Sequence, residues 1–265
     1  MIKMRNLLPI LAIPVLILAV SCNKSSTGND TDPGAYKLSY GDSILYMKPG
    51  GGSIVFPTTH RDGQYSGFPD GIEIDDATGA IDLEKSETGL RYRITHTATD
   101  GTVTTTMVVL SGITFRDHFY NLASGDSIAL PVYNAENSRV LPLSGSTFDE
   151  GNVANGGGCS VRTDNGKINL KETIRNGVFG FPPRNDAQET FEIKYRINDA
   201  SGKSLNKLKV LLYWYNTVAD VPQYVWDILN DRTTQGVFLK GGDPATGRPG
   251  QVAKPRPPCV IIVDH

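Results

Sequence analysis

The amino-acid sequence predicts an all-β protein made of two tandem β-sandwich repeats, followed by a C-terminal helix and an extended tail. Three observations support this fold class. Blocks of sequence return in the same order in the second half of the chain. Within those blocks apolar and polar residues alternate, which is the period of a strand with one buried face. Turn-forming residues separate the alternating segments at short intervals, as in β-sandwiches.

Three blocks carry the repeat, and three blocks in one order make coincidence a poor explanation. The distance between the copies grows along the chain, from 84 positions (Tyr36 to Tyr120) to 87 (Gly79 to Gly166) and 103 (Tyr92 to Tyr195). This growth predicts a longer loop in the second copy, which we place at residues 175–190. The first repeat is therefore expected at 36–112 and the second at 113–215.

Both copies contain an alternating pair of segments joined by a short turn. In the first copy, Asp100-Gly101 is the turn signal, because glycine tolerates the positive φ that tight hairpins need. The alternating apolar positions are Leu90, Tyr92, Ile94, His96 and Ala98 before the turn, and Phe191, Ile193, Tyr195 and Ile197 in the second copy. Each copy thus predicts a hairpin with one face in a core. His96 would then be a core or rim histidine rather than a metal ligand.

Residues 67–81 of the first copy read Gly-Phe-Pro-Asp-Gly-Ile-Glu-Ile-Asp-Asp-Ala-Thr-Gly-Ala-Ile. This stretch resembles the immunoglobulin-like and cadherin-like repeats of bacterial surface proteins, and the resemblance covers about residues 54–111. The second copy departs from the pattern, because Asn165 replaces the Thr before Gly166. The resemblance implies β-sandwich domains with an adhesion or binding role, and it does not imply catalysis.

The first 35 residues indicate export and a lipid anchor. Lys3 and Arg5 precede an apolar run that is too short to span a membrane comfortably but suits a signal peptide. The run ends in Leu-Ala-Val-Ser-Cys22, which resembles the signal-peptidase box of bacterial lipoproteins and implies acylation of Cys22. Residues 1–21 are thus expected to be the signal peptide and 22–35 a polar tether. The chain is expected in the cell envelope, as an outer membrane lipoprotein; the alternative is an ordinary signal peptide with a chance cysteine.

The segment 216–265 differs in character from the repeats. Asp220 is a helix-capping residue with Pro222 behind it, and apolar residues at helical spacing predict a helix at 221–231. Residues 241–258 are rich in Gly and Pro and predict an extended excursion. Residues 259–263 predict a buried strand. The helix is expected to pack against the second repeat, where Leu211 needs cover.

Two sets of side chains are candidate binding residues. The outward face of one predicted strand carries Lys207, Lys209, Tyr213 and Tyr215, which can contact a glycan or a protein partner if the helix does not cover them. Acidic turn residues can bind Ca²⁺, which takes oxygen ligands; the candidates are Asp75, Asp76 and Asp100. The alternative is that each aspartate stabilises its own turn.

Export places the remaining cysteines in a compartment that permits disulfides. Cys159 and Cys259 can form one bridge, or both can be buried thiols, and the sequence leaves the two alternatives open. Cys159 aligns with Ile72 of the first copy, which favours a buried position. The four histidines lack the spacings of a zinc site, and no nucleophile elbow, phosphate loop or dinucleotide motif occurs.

These observations favour a binding protein over an enzyme. The net charge of −2 offers no overall attraction to nucleic acid. We therefore expect a non-enzymatic, envelope-anchored surface lipoprotein without a resident cofactor, acting in adhesion, as a scaffold or in ligand capture. The alternative is an accessory glycan-binding lipoprotein of a polysaccharide-uptake system. A hydrolase is a third class, since paired carboxylates are recognised by their separation in space.

Overall fold

The computed structural model describes residues 36–68, 71–227 and 258–265. The predicted signal peptide, Cys22, the tether and residues 241–257 of the Gly/Pro-rich segment lie outside the described residues. Residues 36–265 form one compact unit.

The first repeat is a sandwich of two sheets. One sheet has the order β1-β7-β6-β3 and the other the order β2-β5-β4. The strands are β1 (Ile44–Leu45), β2 (Ile54–Val55), β3 (Gly63–Phe68), β4 (Glu73–Ile74), β5 (Ile81–Asp82), β6 (Arg91–Ala98) and β7 (Val103–Leu110). Its core joins both sheets and is rich in tyrosine, with Tyr65 and Tyr92 among its fully buried side chains.

The second repeat has a larger sheet, of order β12-β14-β15-β16-β9, which is faced by the strand pairs β11-β8 and β10-β13. The strands are β8 (Ile113–Phe115), β9 (His118–Asn121), β10 (Ile128–Ala129), β11 (Pro131–Tyr133), β12 (Thr147–Phe148), β13 (Ile168–Asn169), β14 (Ala187–Arg196), β15 (Asn206–Tyr215) and β16 (Cys259–Val263). Two short helices, α1 (Val153–Gly156) and α2 (Leu170–Arg175), complete this repeat. The predicted all-β fold with two tandem sandwich repeats is confirmed.

The glycine turns of the two repeats are equivalent, as the sequence predicted. Gly79 and Gly166 have φ angles of 72° and 71°, a conformation that favours glycine. A Cβ atom on Gly79 would lie 2.7 Å from the ring of Tyr65, and one on Gly166 would lie 2.8 Å from the ring of Phe148. Two separate constraints therefore favour glycine at each position: the positive φ angle, and the aromatic ring that leaves no room for a Cβ atom.

The predicted equivalence of Tyr92 in the first repeat and Tyr195 in the second is wrong by four residues. Tyr65 lies opposite His96 on β6, whereas Phe148, its counterpart, lies opposite Tyr195 on β14. Tyr195 therefore occupies the position of His96 and not that of Tyr92. The two Tyr-Arg-Ile triplets lie on equivalent strands, at different positions along them.

The predicted equivalence of Tyr36 in the first repeat and Tyr120 in the second is also wrong. In the first repeat the backbone of Ser39 accepts a hydrogen bond from Thr58 at 2.8 Å. In the second repeat Val132 occupies the position that Thr58 has in the first. Val132 pairs with Thr114 on β8. Strand β8 is thus the counterpart of residues 38–40, and β9, which contains Tyr120, is the counterpart of β1.

Strand β16 is a further difference between the two repeats. In the first repeat β1 pairs directly with β7 in parallel, with Ile44 beside Val109. In the second repeat β16 lies between β15 and β9 and is parallel to both. The predicted terminal strand is therefore present, and it displaces β9 by one position in the sheet.

The longer connection of the second repeat runs from 170 to 186, between β13 and β14, and includes α2. It overlaps the predicted loop at 175–190 but begins earlier. The predicted terminal helix is preceded by a 3₁₀ helix, Val218–Asp220, and its described part covers residues 223–227. Its Val225 is buried on Tyr213 and Tyr215, whereas Tyr224 is 48% exposed. Ile228 and Leu229 of the predicted apolar face lie outside the described residues.

Candidate binding groove

The predicted aromatic face on β15 is covered. Tyr213 and Tyr215 are 5% and 0% exposed, because Val221 and Val225 pack against them. Burial of its ring raises the pKa of Tyr215. These two tyrosines are therefore core residues, and the prediction that they bind a ligand at the surface is wrong. The exposed side chains that remain on this face are Lys207 and Lys209.

The acidic turn residues act within their own turns. The carboxylate of Asp75 accepts hydrogen bonds from Ala77 and from both the backbone and the hydroxyl of Thr78, at 2.7–3.1 Å. These bonds hold its pKa below the ordinary value. Asp100 accepts from the backbone of Thr102 at 2.8 Å, and its pKa is lowered in the same way. Asp76 is exposed, and its carbonyl accepts from Tyr65.

The described part of the chain contains no cluster of three or more His, Cys, Asp or Glu side chains suited to a metal ion. Asp75, Asp76 and Asp100 therefore do not form such a cluster there. His96 is buried between Tyr36 and Tyr65, and its Nε2 lies 3.2 Å from the carbonyl of Asp62. It is a core histidine, as predicted.

Cys159 is a free thiol in the core of the second repeat. Burial raises its pKa to about 12 despite a hydrogen bond to Thr173. A thiolate is the reactive form of cysteine, so this residue is inert at neutral pH. Of the two alternatives that the sequence left open, the structure contains the buried thiol at Cys159.

Hydrogen bonds join the two repeats at their junction. The Tyr195 hydroxyl lies 3.0 Å from the hydroxyl of Thr88 and accepts from the backbone of Ile113 at 3.1 Å. The carboxylate of Asp199 accepts from Ser111 at 3.1 Å and from Tyr133 at 2.6 Å. Buried, satisfied networks of this kind hold their elements in a fixed relation.

A groove with a volume of about 460 Å³ lies beside this junction. Both repeats contribute to its wall: residues 47–51 and the segment after β5 come from the first repeat, and the ends of β14 and β15 come from the second. Gly50, Gly51 and Gly52 all have positive φ, so the glycine loop at this edge is one that other residues would strain. The Lys48 ammonium donates a hydrogen bond to the carbonyl of Ala200 across the two repeats.

Cationic side chains dominate the groove. Four of the lining residues are basic, namely Lys48, Lys194, Arg196 and Lys207, and one, Glu84, is acidic. Lys194 and Lys207 lie directly opposite each other on β14 and β15. Arg196 forms an ion pair of 2.7 Å with Glu150, so part of its charge is already compensated.

Asn206 is the buried polar residue of the groove wall. Its side chain is 3% exposed, and its amide nitrogen donates to the carbonyl of Ser204 at 3.3 Å. Its Oδ1 atom has no hydrogen-bond partner. Buried acceptors are almost always satisfied, so an unpartnered one in a residue of the groove wall calls for an explanation.

The sequence predicted one residue of this groove, Lys207, and missed the others. Lys194 and Arg196 follow from the strand alternation as outward-facing residues, but the sequence does not show that Lys48 approaches them. The available signal is the glycine run at 50–52, because consecutive glycines favour a loop.

Within the described residues, no helix is both long and apolar enough to cross a membrane.

No protein-family model matches this chain, and no curated protein matches it. Among solved structures, Drosophila N-cadherin EC1-4 is similar at 11% identity, over 67% of this chain and 48% of that one, with a TM-score of 0.21. A SusE-like surface-located polysaccharide-binding protein from the heparin utilisation locus of Bacteroides thetaiotaomicron is similar at 12% identity, over 63% and 32%, with a TM-score of 0.23. Mouse clustered PcdhgC3 EC1-3 follows at 10% identity, over 67% of each chain, with a TM-score of 0.19. This chain thus spans about half of the N-cadherin chain and a third of the SusE-like one. Because these TM-scores are far below 0.5, the fold rests on the strand order and register given above.

Proposed function

We propose that this protein is a non-enzymatic binding module of the cell envelope that captures its ligand in the groove at the junction of the two repeats. The observation that carries the proposal is the groove itself, with four basic residues and an unpartnered buried acceptor in one wall. Its volume lies in the range of about 300–1,000 Å³ typical of ligand pockets.

The junction supports this proposal because it makes the groove preformed. Tyr195 and Asp199 of the second repeat are hydrogen-bonded to Thr88 and Ser111 of the first. Two sandwiches joined by a free linker would have to become ordered when a ligand binds between them, and that ordering costs affinity. A junction that is already ordered avoids this cost.

A hydrolytic function has less support. Glycoside hydrolysis generally uses two carboxyl groups that face each other across the scissile bond. The residues that line the groove include one carboxylate, Glu84. The described residues of the groove therefore offer a wall for binding and do not include the second carboxyl group of a glycosidase pair.

The envelope location of the proposal rests on the sequence. Cys22 follows a signal-peptide pattern and precedes a polar segment, so we propose that it carries the lipid that holds the protein at the outer membrane. Residues 22–35 would then separate the repeats from the bilayer. Both features lie outside the described residues.

The groove can be tested by filling it. Leu205 lines the groove and is 44% exposed, so Leu205→Trp adds bulk with little effect on folding. Val140, which is 86% exposed and does not line the groove, gives the matched control Val140→Trp. The mature protein and both variants would be applied to an array of neutral and acidic glycans and to peptides.

We expect the wild type and Val140→Trp to bind the same array members and Leu205→Trp to lose them. The bound member should be recovered uncleaved, as chromatography of the eluted material would show. Equal binding by all three proteins, or no binding to any array member, would contradict the groove as a binding site. Cleavage of the bound member would contradict the non-enzymatic assignment.

A further inference from the structure

We infer that the ligand of the groove is an acidic saccharide, a sugar chain that carries carboxylate or sulfate groups beside free hydroxyls. This inference rests on the proposed binding function of the groove and adds the class of ligand. Two features of the wall point to it independently: an acceptor without a donor, and an excess of cations.

The acceptor calls for a neutral donor. Oδ1 of Asn206 is buried and accepts no hydrogen bond from the protein. Leaving such a group unpaired destabilises the protein. A sugar hydroxyl is a donor of suitable size, and a carboxylate or sulfate is not, because an anion has no proton to donate. The ligand therefore needs at least one hydroxyl or amide group near its charge.

The cations call for an anion. Lys194 and Lys207 are directly opposed on neighbouring strands, and like charges in this position destabilise a sheet. Lys194 lies 3.8 Å from Glu192, a long contact, and Glu84 is the one carboxylate of the groove wall. A carboxylate or sulfate between the two ammonium groups would relieve their repulsion and form charge-assisted hydrogen bonds.

Other anionic polymers fit this wall less well. Single-stranded nucleic acids bind proteins largely by stacking bases on aromatic side chains, and none of the described residues that line the groove is aromatic. A sugar chain can be bound without them, because its hydroxyls and charges are recognised by polar and charged side chains.

The experiment uses the mature protein and two acidic probes, trigalacturonate and a chondroitin sulfate tetrasaccharide. Their neutral counterparts are the methyl-esterified and the desulfated, esterified forms. Calorimetric titration at low and high salt would measure the affinity of each. Two variants change the wall: Lys207→Glu reverses one charge, and Asn206→Leu removes the unpartnered acceptor at similar volume. Lys209→Glu is the control, since Lys209 lies on the same strand face but outside the groove.

We expect at least one acidic probe to bind, with an affinity that falls as salt rises and at least tenfold weaker binding in Lys207→Glu than in Lys209→Glu. Asn206→Leu should weaken binding at least tenfold while its melting temperature stays the same or rises, because the protein loses an unsatisfied group. A purely structural asparagine would show the reverse, with a lower melting temperature and unchanged affinity.

Two results would overturn the inference. One is that neither acidic probe binds the wild type. The other is that the neutral forms bind as tightly as the acidic ones. If the neutral forms bind and Asn206→Leu abolishes that binding, the anionic class is wrong but the groove remains a binding site. If the acidic probes bind and Leu205→Trp and Lys207→Glu leave their affinity unchanged, both the inference and the groove function fail.

Discussion

The hydroxyl of Tyr195 lies 3.0 Å from the hydroxyl of Thr88, although the two residues belong to different repeats. The same oxygen accepts a hydrogen bond from the backbone of Ile113, the first residue of β8. Burial raises the pKa of this tyrosine to about 12, so the hydroxyl keeps its proton at neutral pH and can both donate and accept.

Removing this hydroxyl should weaken the junction. In Tyr195→Phe the buried Ile113 N–H loses its partner, which costs about 1–3 kcal/mol of unfolding free energy. Chemical denaturation would measure the loss. Tyr40→Phe removes a hydroxyl whose bond, to the carbonyl of Gly79, stays within the first repeat. Both variants should lose stability, but only Tyr195→Phe should also weaken binding in the groove. Full stability of Tyr195→Phe would contradict the role of this bond.

The helix that packs against the larger sheet of the second repeat gives a second prediction. Val225 is 1% exposed and packs on Tyr213 and Tyr215, so Val225→Asp would place a charge in an apolar contact. We expect a loss of several kcal/mol in the second repeat, visible as a lower melting temperature. Ala219→Asp, at an exposed position of the 3₁₀ helix, should change little. An unchanged melting temperature of Val225→Asp would show that the helix is peripheral.

Acid should weaken the first repeat through its turn aspartates. The pKa of Asp75 is lowered by hydrogen bonds from Thr78, so its carboxylate binds protons less readily in the folded state than in the unfolded state. The stability it contributes is therefore fully present above its unfolded pKa and is lost as the pH falls through the lower folded value. Asp75→Asn cannot titrate, and its melting temperature should fall less than that of the wild type between pH 5 and about pH 2. Parallel curves for the two proteins would contradict this prediction.

The lipid anchor is tested at Cys22. Cys22→Ala removes the acceptor of the lipid, so the variant should remain unprocessed or appear in soluble fractions. Fractionation and mass spectrometry of the amino terminus would decide between these states. Ser21→Ala, which keeps a small residue before the cysteine, should be processed normally. A Cys22→Ala protein that is processed and retained at the membrane would rule out the anchor.

The sequence predicted the sandwich repeats because their patterns are local. The turn at Gly79 and its copy at Gly166 need a residue that adopts positive φ, and that requirement is visible in one chain. The hairpin of β6 and β7 follows from alternation in the same way. Features that depend on a few neighbouring residues were therefore predicted correctly.

The register between repeats could not be predicted, because similar residues do not fix equivalent positions. Tyr92 and Tyr195 share two following residues, but strand pairing places Tyr195 at the level of His96. Likewise, the likeness of 36–44 to 120–128 gave no sign that β16 enters the sheet. Pairing between distant segments is set by the tertiary structure, and a one-residue shift changes every contact.

The groove was missed for the same reason. Lys48, Glu84 and Asn206 come from three distant segments, and only the folded junction brings them together. Lys207 was predicted from its exposed position, whereas Tyr213 and Tyr215 were wrong because the helix covers them. The missing partner of Asn206 is a property of its surroundings and leaves no mark in the sequence.

The position of β16 has a consequence for the order in which the chain folds. All strands of the first repeat lie within residues 44–110, so it can complete its sheets as soon as residue 110 has been made. The large sheet of the second repeat cannot, because β15 and β9 meet only through residues 259–263, beyond the long connection 216–258. Closing such a loop carries an entropic penalty and slows folding. Until β16 arrives, the apolar edge of β15 stays open to other strands, so this repeat depends more on protection from aggregation during synthesis.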